Sequence, residues 1–332
     1  MLQELFRIPF LNLPVYGYGL MLVLGVWCAV ELARRLANRL GLVGDDFVTV
    51  GIIALVSGLA GARISHVLEN WSVYTDSDRS AWANFVAAIN LANGGLTFYG
   101  GFIFATIVLI AFAKLKRIPL RLGMDIVAPA LMIGLAFGRV GCLLNGCCWG
   151  QICDTDDVPW AVEFPYGSPA FDEHVHDGDI PITSLPRDLI GYRETPDGLV
   201  PAPLSKEEVR KDPRLSALAG TVHSLPVHPT QIYSVFNALL IAGISVAYLT
   251  TRPAPGRVFG LMLLLYAPAR FTLETLRVNT KLTGNLTYSM WISVIVVGIG
   301  VIYWLACGVF EKWMRSRTSE NNPSSPPATA SV

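Results

Sequence analysis

GRVGCLLNGCCWG, residues Gly138 to Gly150, places an arginine, an asparagine and three cysteines directly after an apolar run. A guanidinium inside a lipid-soluble segment costs about 2.5 to 3.5 kcal/mol on insertion scales. Charged residues at such positions usually mark a functional site, so Arg139 is the first candidate site residue. The stretch therefore indicates a membrane protein whose chemistry lies at the end of a membrane-spanning segment.

The composition is that of a polytopic membrane protein. Of the 332 residues, 52% are hydrophobic and only 15% are charged, whereas an ordinary soluble domain has about 25% charged residues. A spanning helix needs about 20 apolar residues, and seven stretches qualify: 15–37, 47–68, 96–113, 124–144, 229–249, 257–276 and 286–309. The first lacks the basic leader of a secretory signal, so we expect it to be retained. We predict an all-α fold with seven transmembrane helices.

Basic residues are distributed unevenly around these spans. If the spans alternate in direction, twelve basic residues fall on one side: Arg34, Arg35, Arg39, Lys114, Lys116, Arg117, Arg121, Arg252, Arg257, Lys312, Arg315 and Arg317. The positive-inside rule then puts the N-terminus outside and the C-terminus in the cytoplasm. The predicted parts are an interfacial lead-in (1–14), transmembrane helices 1–4 (15–144), a signature loop with a small irregular extracytoplasmic head (145–227), transmembrane helices 5–7 (228–309) and a disordered cytoplasmic tail (310–332).

Polar residues from separate spans are expected at one depth. With a rise of about 1.5 Å per residue, Arg63, Arg139 and Arg270 lie in the outer half of spans two, four and six. Tyr18 and Tyr99 lie near the outer ends of spans one and three. A lone tyrosine at a helix end is usually an interfacial anchor, but three arginines at one depth indicate a shared polar site.

Span six carries a polar face of its own. Residues spaced by four, four and three positions share one side of this helix: Tyr266, Arg270, Glu274 and Arg277. Glu274 can pair with either arginine, and a purely structural ion pair is the alternative interpretation. One carboxylate does not balance several guanidiniums, so an anion is expected. Because guanidinium matches phosphate oxygens bidentately, a phospholipid headgroup is the favoured ligand.

Several ordered motifs resemble those of the prolipoprotein diacylglyceryl transferase family. They are YGLM (Tyr18–Met21), FYGG (Phe98–Gly101), GRVGCLLNGCCWG (Gly138–Gly150), PWAVEFP (Pro159–Pro165), HPTQIY (His228–Tyr233) and ARFTLETLR (Ala269–Arg277). The resemblance covers nearly the whole chain. It implies transfer of the diacylglyceryl group of phosphatidylglycerol to the lipobox cysteine thiol of a prolipoprotein, which forms a thioether and releases glycerol phosphate.

The same resemblance implies a multi-pass protein of the bacterial inner membrane with its active site facing the outer leaflet. Its expected partners are phosphatidylglycerol, other membrane lipid and the signal peptides of prolipoproteins. No cofactor and no nucleic-acid partner are expected. The attacking thiol belongs to the substrate, so none of this chain's cysteines is needed as a nucleophile.

Carried over by motif position, Arg139 and Arg270 would bind the headgroup phosphate and stabilise the transition state, and Asn145 would join them as a catalytic residue of the signature loop. Tyr99 stands where some family members carry a histidine proposed as general base. A tyrosine with a pKa near 10 is a poorer base, so Tyr99 is assigned proximity and hydrogen bonding only. The residues expected to bind phosphatidylglycerol are Arg139, Arg270, Arg277, Glu274, Tyr18, Tyr266, Arg63 and Gly150.

The signature loop departs from the commonest family form, which has Asn at the position of Cys142 and Glu at that of Cys147. Together with Cys148 and Cys153, these cysteines would face an oxidising compartment, where one or two disulfides are favoured over free thiols. A zinc site ranks behind both because CxxxxCCxxxxC is not a standard ligand spacing, and no metal is expected.

A membrane transporter or channel for an anionic solute is the main alternative function. Such folds usually show interrupted spans paired about an internal repeat, and no fixed repeat is evident in this sequence. A seven-helix receptor has the same number of spans. It would not need three arginines at one depth or carry these ordered motifs.

Overall fold

The computed structural model describes residues 4–8, 13–75, 80–90, 95–195, 198–277 and 286–321. Long helices coincide with all seven predicted spans: α1 (Gly17–Arg39), α2 (Gly44–Glu69), α5 (Phe98–Leu115), α6 (Leu120–Asn145), α10 (Thr230–Thr250), α11 (Arg257–Thr275) and α12 (Tyr288–Asn321). Shorter helices lie between them: α3 (Trp71–Tyr74), α4 (Ala81–Ile89), α7 (Pro169–His176), α8 (Lys206–Lys211) and α9 (Pro213–Ala219).

Within these ranges, five helices are long and apolar enough to cross a membrane, namely α2, α6, α10, α11 and the Tyr288–Val309 part of α12. A shorter apolar helix, Tyr99–Leu115, adds to them. Large apolar side chains stay exposed along the helices, including Val56 at 63% and Ile302 at 70%. A contiguous apolar surface of this kind needs a non-aqueous surrounding. The chain is therefore a multi-pass membrane protein.

The all-α prediction is corrected by two short antiparallel hairpins. Strands β1 (Glu4–Ile8) and β2 (Leu13–Tyr16) pair within the segment predicted as an interfacial lead-in, with an irregularity between Glu4 and Phe6. Strands β3 (Ile190–Thr195) and β4 (Gly198–Pro203) pair in the long polar region. Both hairpins are too short to produce a clear period-two pattern in the sequence, which is why hydropathy analysis passes over them.

The polar region between α6 and α10 was predicted to be irregular, and the structure corrects this as well. It holds α7, α8, α9 and the β3–β4 hairpin around an apolar core of its own. The buried members of that core are Tyr166, Phe171, Ile180, Leu185, Leu189, Val209 and Ala219. Local signals support the helices, because Ser205 and Glu208 form a capping box at the start of α8.

The predicted disordered tail is also partly corrected, because α12 continues to Asn321. The segment FEKWMRSRTSEN that extends this helix contains good helix formers and no proline or glycine. Pro323 follows two residues after the helix end, and a proline disfavours the α conformation at the residue before it. Residues 322–332 of the predicted tail lie outside the described residues.

The chain divides into two compact units, which are described separately. The first comprises Met1–Gly25, Met132–Ile244 and Gly260–Leu305, and the second comprises Val26–Leu131, Ser245–Phe259 and Ala306–Val332. In the second unit, Asp125 of α6 is 1% exposed, and its carboxylate accepts hydrogen bonds from the backbone N–H groups of Gly256 (2.6 Å) and Phe259 (2.8 Å). An anion at a helix N-terminus is stabilised by the helix dipole, so Asp125 fixes the start of α11.

Glycines let α2 and α5 of the second unit approach closely. A Cβ added at Gly61 would lie 2.5 Å from Cβ of Phe104, and one at Gly100 would lie 2.6 Å from the carbonyl oxygen of Gly61. Small residues at such crossings bring helix backbones together in membranes.

Candidate active site

The candidate site is assembled in the first unit from α6, the loop that follows it, and the ends of α10, α11 and α12. On α11, the guanidinium of Arg270 donates a hydrogen bond through Nη1 to Oε2 of Glu274. The Glu274 side chain is 3% exposed and that of Arg270 is 21% exposed. A carboxylate buried to this extent needs a charged or hydrogen-bonding partner, and the spacing of four residues places Arg270 in reach.

A residue that the sequence analysis missed completes this pair. The hydroxyl of Thr287 donates a hydrogen bond to Oε1 of Glu274 at 3.2 Å, and the backbone N–H of Met290 donates to the Thr287 hydroxyl at 3.3 Å. Thr287 therefore caps the start of α12 while it binds the carboxylate at the end of α11. The signal was present in the sequence, since a threonine directly before an apolar run is a typical N-cap.

The signature loop begins with a well-defined helix end. The backbone N–H of Cys147 donates to the carbonyl of Cys142 at 3.0 Å, that of Gly146 donates to the carbonyl of Leu143 at 3.2 Å, and Gly146 has φ of 73°. This is the Schellman arrangement, in which a glycine adopts the left-handed conformation after the last helical turn. Asn145, the last residue of α6, therefore stands at the turn that redirects the chain.

Gly150 allows the loop to lie against α10 and α11. Its N–H donates to the carbonyl of His228 at 2.9 Å, and the N–H of Gln151 donates to the carbonyl of Leu276 at 2.8 Å. A Cβ added at Gly150 would lie 2.7 Å from the Leu276 carbonyl oxygen. Only glycine fits this contact without a shift of the backbone, and the contact holds the loop beside Arg277, the next residue after Leu276.

The HPTQIY motif (His228–Tyr233) forms hydrogen bonds to the backbone of the signature loop. The Thr230 hydroxyl donates to the carbonyl of Cys148 at 2.9 Å, and the Gln231 side-chain amide donates to the carbonyl of Cys147 at 2.9 Å. Gln231 is 1% exposed, so the hydrogen bond is shielded from water. The hydroxyl of Tyr233 accepts a hydrogen bond from Nε1 of Trp160 at 2.6 Å, which connects this motif to PWAVEFP.

The positive charges of Arg139 and Arg277 both influence Cys148 of the signature loop. The pKa of the Cys148 thiol is well below its usual range because the thiols of Cys142 and Cys147 donate hydrogen bonds to it, and the positive charges of Arg277 and Arg139 lower it further. Arg139 is half-buried on α6, and Arg277 is half-buried just beyond α11. The structure thus brings both arginines into the electrostatic environment of one sulfur atom.

The two predicted tyrosines of this unit lie on α1 and α11. Tyr18, in the first turn of α1, is 43% exposed. A Cβ added at Gly141 of α6 would lie 3.0 Å from Cδ2 of Tyr18, so Gly141 provides room for this ring. Tyr266 is half-buried on α11, one helical turn before Arg270.

Three of the four loop cysteines converge. The Sγ atoms of Cys142, Cys147 and Cys148 all lie within 4.8 Å of one another, and each residue is half-buried. Cys153 is engaged elsewhere, because its N–H donates to the carbonyl of Pro226 at 3.0 Å. All four are free thiols in the structure, and the disulfide expected from the sequence stays a prediction.

The remaining predicted site residues belong to the second unit. Arg63 is 7% exposed, and its guanidinium donates hydrogen bonds to the carbonyl oxygens of Ala88 (2.7 Å), Ala87 (2.7 Å) and Gly95 (3.0 Å). Its Cζ also lies 5.2 Å from the ring centroid of Tyr74. Tyr99, in the first turn of α5, is 62% exposed.

Comparison with known families settles the class of this protein. The family model described as prolipoprotein diacylglyceryl transferase matches residues 3–306. The chain belongs to this family. It is therefore a transferase, and the alternative of a transporter or channel is excluded.

Two named relatives resemble the transferase over most of its length, and a third resembles it over about half. The phosphatidylglycerol–prolipoprotein diacylglyceryl transferase of Rhodopirellula baltica is 29% identical, with 94% of this chain and 75% of the relative aligned. The enzyme of the same name from Paraburkholderia phytofirmans is 26% identical over 88% of this chain and 89% of its own. That from Agrobacterium fabrum is 38% identical over a shorter part, 47% of this chain and 56% of the relative.

Proposed function

We propose that this protein transfers the diacylglyceryl group of phosphatidylglycerol to the lipobox cysteine of prolipoproteins. The substrate sulfur forms a bond to the terminal glyceryl carbon while the bond from that carbon to the phosphate oxygen breaks. Glycerol phosphate leaves with the electron pair of the broken bond. The thiol must lose its proton before or during attack, since the thiolate is the nucleophile.

The charge balance of the site is the observation that carries this proposal. Glu274 contributes one negative charge, which Arg270 binds directly. Cys148 of the adjoining loop, whose lowered pKa favours the thiolate, contributes a second and is influenced by the charges of Arg139 and Arg277. Three guanidiniums against these two anions leave a net positive charge. A phosphodiester carries one negative charge and the departing phosphomonoester nearly two at neutral pH. Fixed guanidiniums therefore stabilise the leaving phosphate more strongly than the bound lipid, which is the requirement for lowering the barrier.

Within this proposal each side chain of the first unit has a distinct part. Arg139, Arg270 and Arg277 bind the phosphate. Glu274 orients Arg270 and is itself held by Thr287. Tyr18 and Tyr266 line the lipid pocket, while Asn145 and Gly150 set the course of the signature loop.

The second unit requires one revision of the predicted roles. The guanidinium of Arg63 donates to two backbone carbonyls in the last turn of α4 and to that of Gly95 beyond it, so we assign it the bracing of that segment in place of phosphate binding. Tyr99 keeps its proposed role as a neighbour that hydrogen-bonds substrate, because its exposure leaves the ring accessible. No step of proton removal is assigned to it.

The proposed setting is the bacterial inner membrane, with seven spans, the N-terminus outside and the active site at the outer leaflet. The unequal distribution of basic residues supports this orientation. Phosphatidylglycerol would then reach the site laterally from the bilayer, and prolipoprotein signal peptides from the same membrane.

Purified protein incubated with a lipobox peptide and phosphatidylglycerol vesicles tests the reaction. We expect the peptide cysteine to gain the mass of one diacylglyceryl group and glycerol phosphate to appear in equal amount. Vesicles of phosphatidylcholine should support no transfer, and a peptide with serine for the cysteine should stay unmodified. Release of glycerol phosphate without peptide modification would instead indicate a lipase and would refute the proposal.

A further inference from the structure

The thiols of Cys142, Cys147 and Cys148 form a cluster with no part in the transfer reaction. Their Sγ atoms lie within 4.8 Å of one another. The nucleophile of the proposed reaction is the sulfur of the substrate, so the enzyme needs none of these three for chemistry. Their convergence therefore calls for a separate explanation.

The backbone brings these side chains together. In a Schellman arrangement the side chains three residues before and two residues after the cap commonly contact each other, and here these positions are Cys142 and Cys147. Cys148 then adopts φ of 63°, a left-handed conformation that costs a non-glycine residue about 1 to 3 kcal/mol. The surrounding contacts maintain it, because α10 binds the carbonyls of Cys147 and Cys148 through Gln231 and Thr230.

Three mutually close sulfur atoms fit a metal ion. A disulfide would use two of them and leave the third. Thiolates bind zinc at about 2.3 Å, so three of them around one ion lie at most about 4 Å apart. That separation falls inside the observed limit of 4.8 Å. Small side-chain rotations would be enough to reach it.

The type of ligand determines which ion the cluster would take. Thiolate ligands select soft d¹⁰ cations, of which Zn²⁺ and Cu⁺ are the biological examples. Both ions accept thiolate sulfur, and Zn²⁺, which is usually four-coordinate, would need one further ligand.

We propose that Cys142, Cys147 and Cys148 bind one thiophilic d¹⁰ cation, Zn²⁺ or Cu⁺. Arg139 lies on α6, and the ion would connect the last turn of this helix to the signature loop. Gly150 holds that loop against the end of α11. The ion would thereby fix the distance between the elements that carry Arg139 and Arg277. The proposed metal site does not depend on which group the enzyme transfers.

Metal titration of the purified full-length protein under reducing conditions tests the proposal, with Zn²⁺ and Cu⁺ in separate arms against a chromophoric competitor. We expect one equivalent of one of these ions to bind per chain. Each of Cys142→Ser, Cys147→Ser and Cys148→Ser should weaken binding by tenfold or more. Cys153→Ser is the matched control, since this cysteine lies five residues further on and outside the cluster, and it should bind as the wild type does.

A spectroscopic readout keeps the result independent of protein stability. Co²⁺ bound by thiolates shows sulfur-to-metal charge-transfer absorption, and we expect this band in the wild type and in Cys153→Ser. Equal binding by wild type and by all three cluster variants would refute the site. The proposal would also fail if the protein had two fewer labelled thiols before reduction than after it and bound metal in neither state. The cluster would then form a disulfide and not a metal site.

Discussion

Glu274 determines the position of Arg270. Its carboxylate is 3% exposed and binds a guanidinium on one oxygen and the Thr287 hydroxyl on the other. The spacing predicted that Glu274 pairs with Arg270 or Arg277, and the structure shows the pair with Arg270. Thr287 could not be assigned to it, because sequence spacing on one helix says nothing about which residue of the next helix faces it.

The substitution Glu274→Gln separates the charge of this residue from its shape. We expect kcat/KM for diacylglyceryl transfer to fall by about 10-fold to 100-fold, because a buried partner left unsatisfied costs about 1 to 3 kcal/mol. Thr287→Val removes the hydrogen bond to Glu274, worth about 1 kcal/mol, which should reduce the rate about fivefold. It also removes the cap on the Met290 N–H, which should lower stability by about 1 kcal/mol without a further loss of rate. The account of Arg270 orientation would be wrong if Thr287→Val were the more damaging change in steady-state assays.

The partners of Arg63 could not be predicted from its position in the sequence. Its depth along the second span followed from the helical rise, but a helical rise gives neither the direction of the side chain nor its partners. The carbonyls of Ala87, Ala88 and Gly95 accept its hydrogen bonds. Two of them belong to the short helix α4 and one to the chain beyond it, neither of which the search for spanning segments predicted, so the sequence favoured a phosphate as the missing partner.

At the scale of elements, hydropathy predicted the helices and missed the small structures between them. Each long helix presents about 20 apolar residues, which is a strong signal. The β1–β2 and β3–β4 hairpins and the head helices are held by contacts distant in sequence or by single capping residues. The Schellman end of α6 was readable from Asn145 and Gly146, whereas the close fit of Gly150 against α11 required the tertiary structure.

Gly150→Ala should disturb the docking of the signature loop. The added Cβ would lie 2.7 Å from the backbone oxygen of Leu276, and overpacking of this kind costs about 1 to 3 kcal/mol. We expect a loss of transfer activity of about tenfold or more in an initial-rate assay. Gly138→Ala is the matched control on α6, because a Cβ there meets nothing within 4 Å. Equal losses in the two variants would contradict the docking role.

The head should lose stability in mild acid because of His174. This residue is 4% exposed, its Nδ1 accepts a hydrogen bond from the N–H of Leu225 at 3.3 Å, and its ring lies 6.2 Å from that of Trp149. Burial lowers the pKa of His174 despite the acidic neighbours Asp179, Glu173 and Asp177.

The sign of this effect follows from proton linkage. The unfolded head binds a proton at the ordinary histidine pKa of about 6.5, and the folded head does so only at lower pH. The stabilisation is therefore complete above about pH 6.5 and is lost as the pH falls towards the folded pKa. The protection factors of the α7 amides, which correct for the slower intrinsic exchange in acid, should fall over this range, and His174→Gln should abolish this fall. If the exposed His176→Gln variant abolished it instead, the assignment would be wrong.

At the scale of the whole molecule, composition and motif order identified a membrane transferase, and the family match agrees. The orientation in the bilayer remains a prediction from basic residues. Alkaline phosphatase fused after residue 197, in the head, should be active in cells, whereas the same enzyme fused after residue 321 should be inactive. The reverse pattern would overturn the proposed topology, and activity at both positions would contradict the three spans predicted between the head and the tail.

The central claim is that guanidiniums of the first unit bind and stabilise the departing phosphate. The most direct test measures single-turnover transfer from phosphatidylglycerol to a lipobox peptide by Arg139→Ala, Arg270→Ala and the control Arg35→Ala, whose arginine pairs with Glu31 on α1. Loss of a preorganised charge partner at the transition state is worth about 100-fold to 1,000-fold. We predict a loss of this size for Arg139→Ala and Arg270→Ala and an unchanged rate for Arg35→Ala. Wild-type rates in the folded Arg139→Ala and Arg270→Ala proteins would contradict the account.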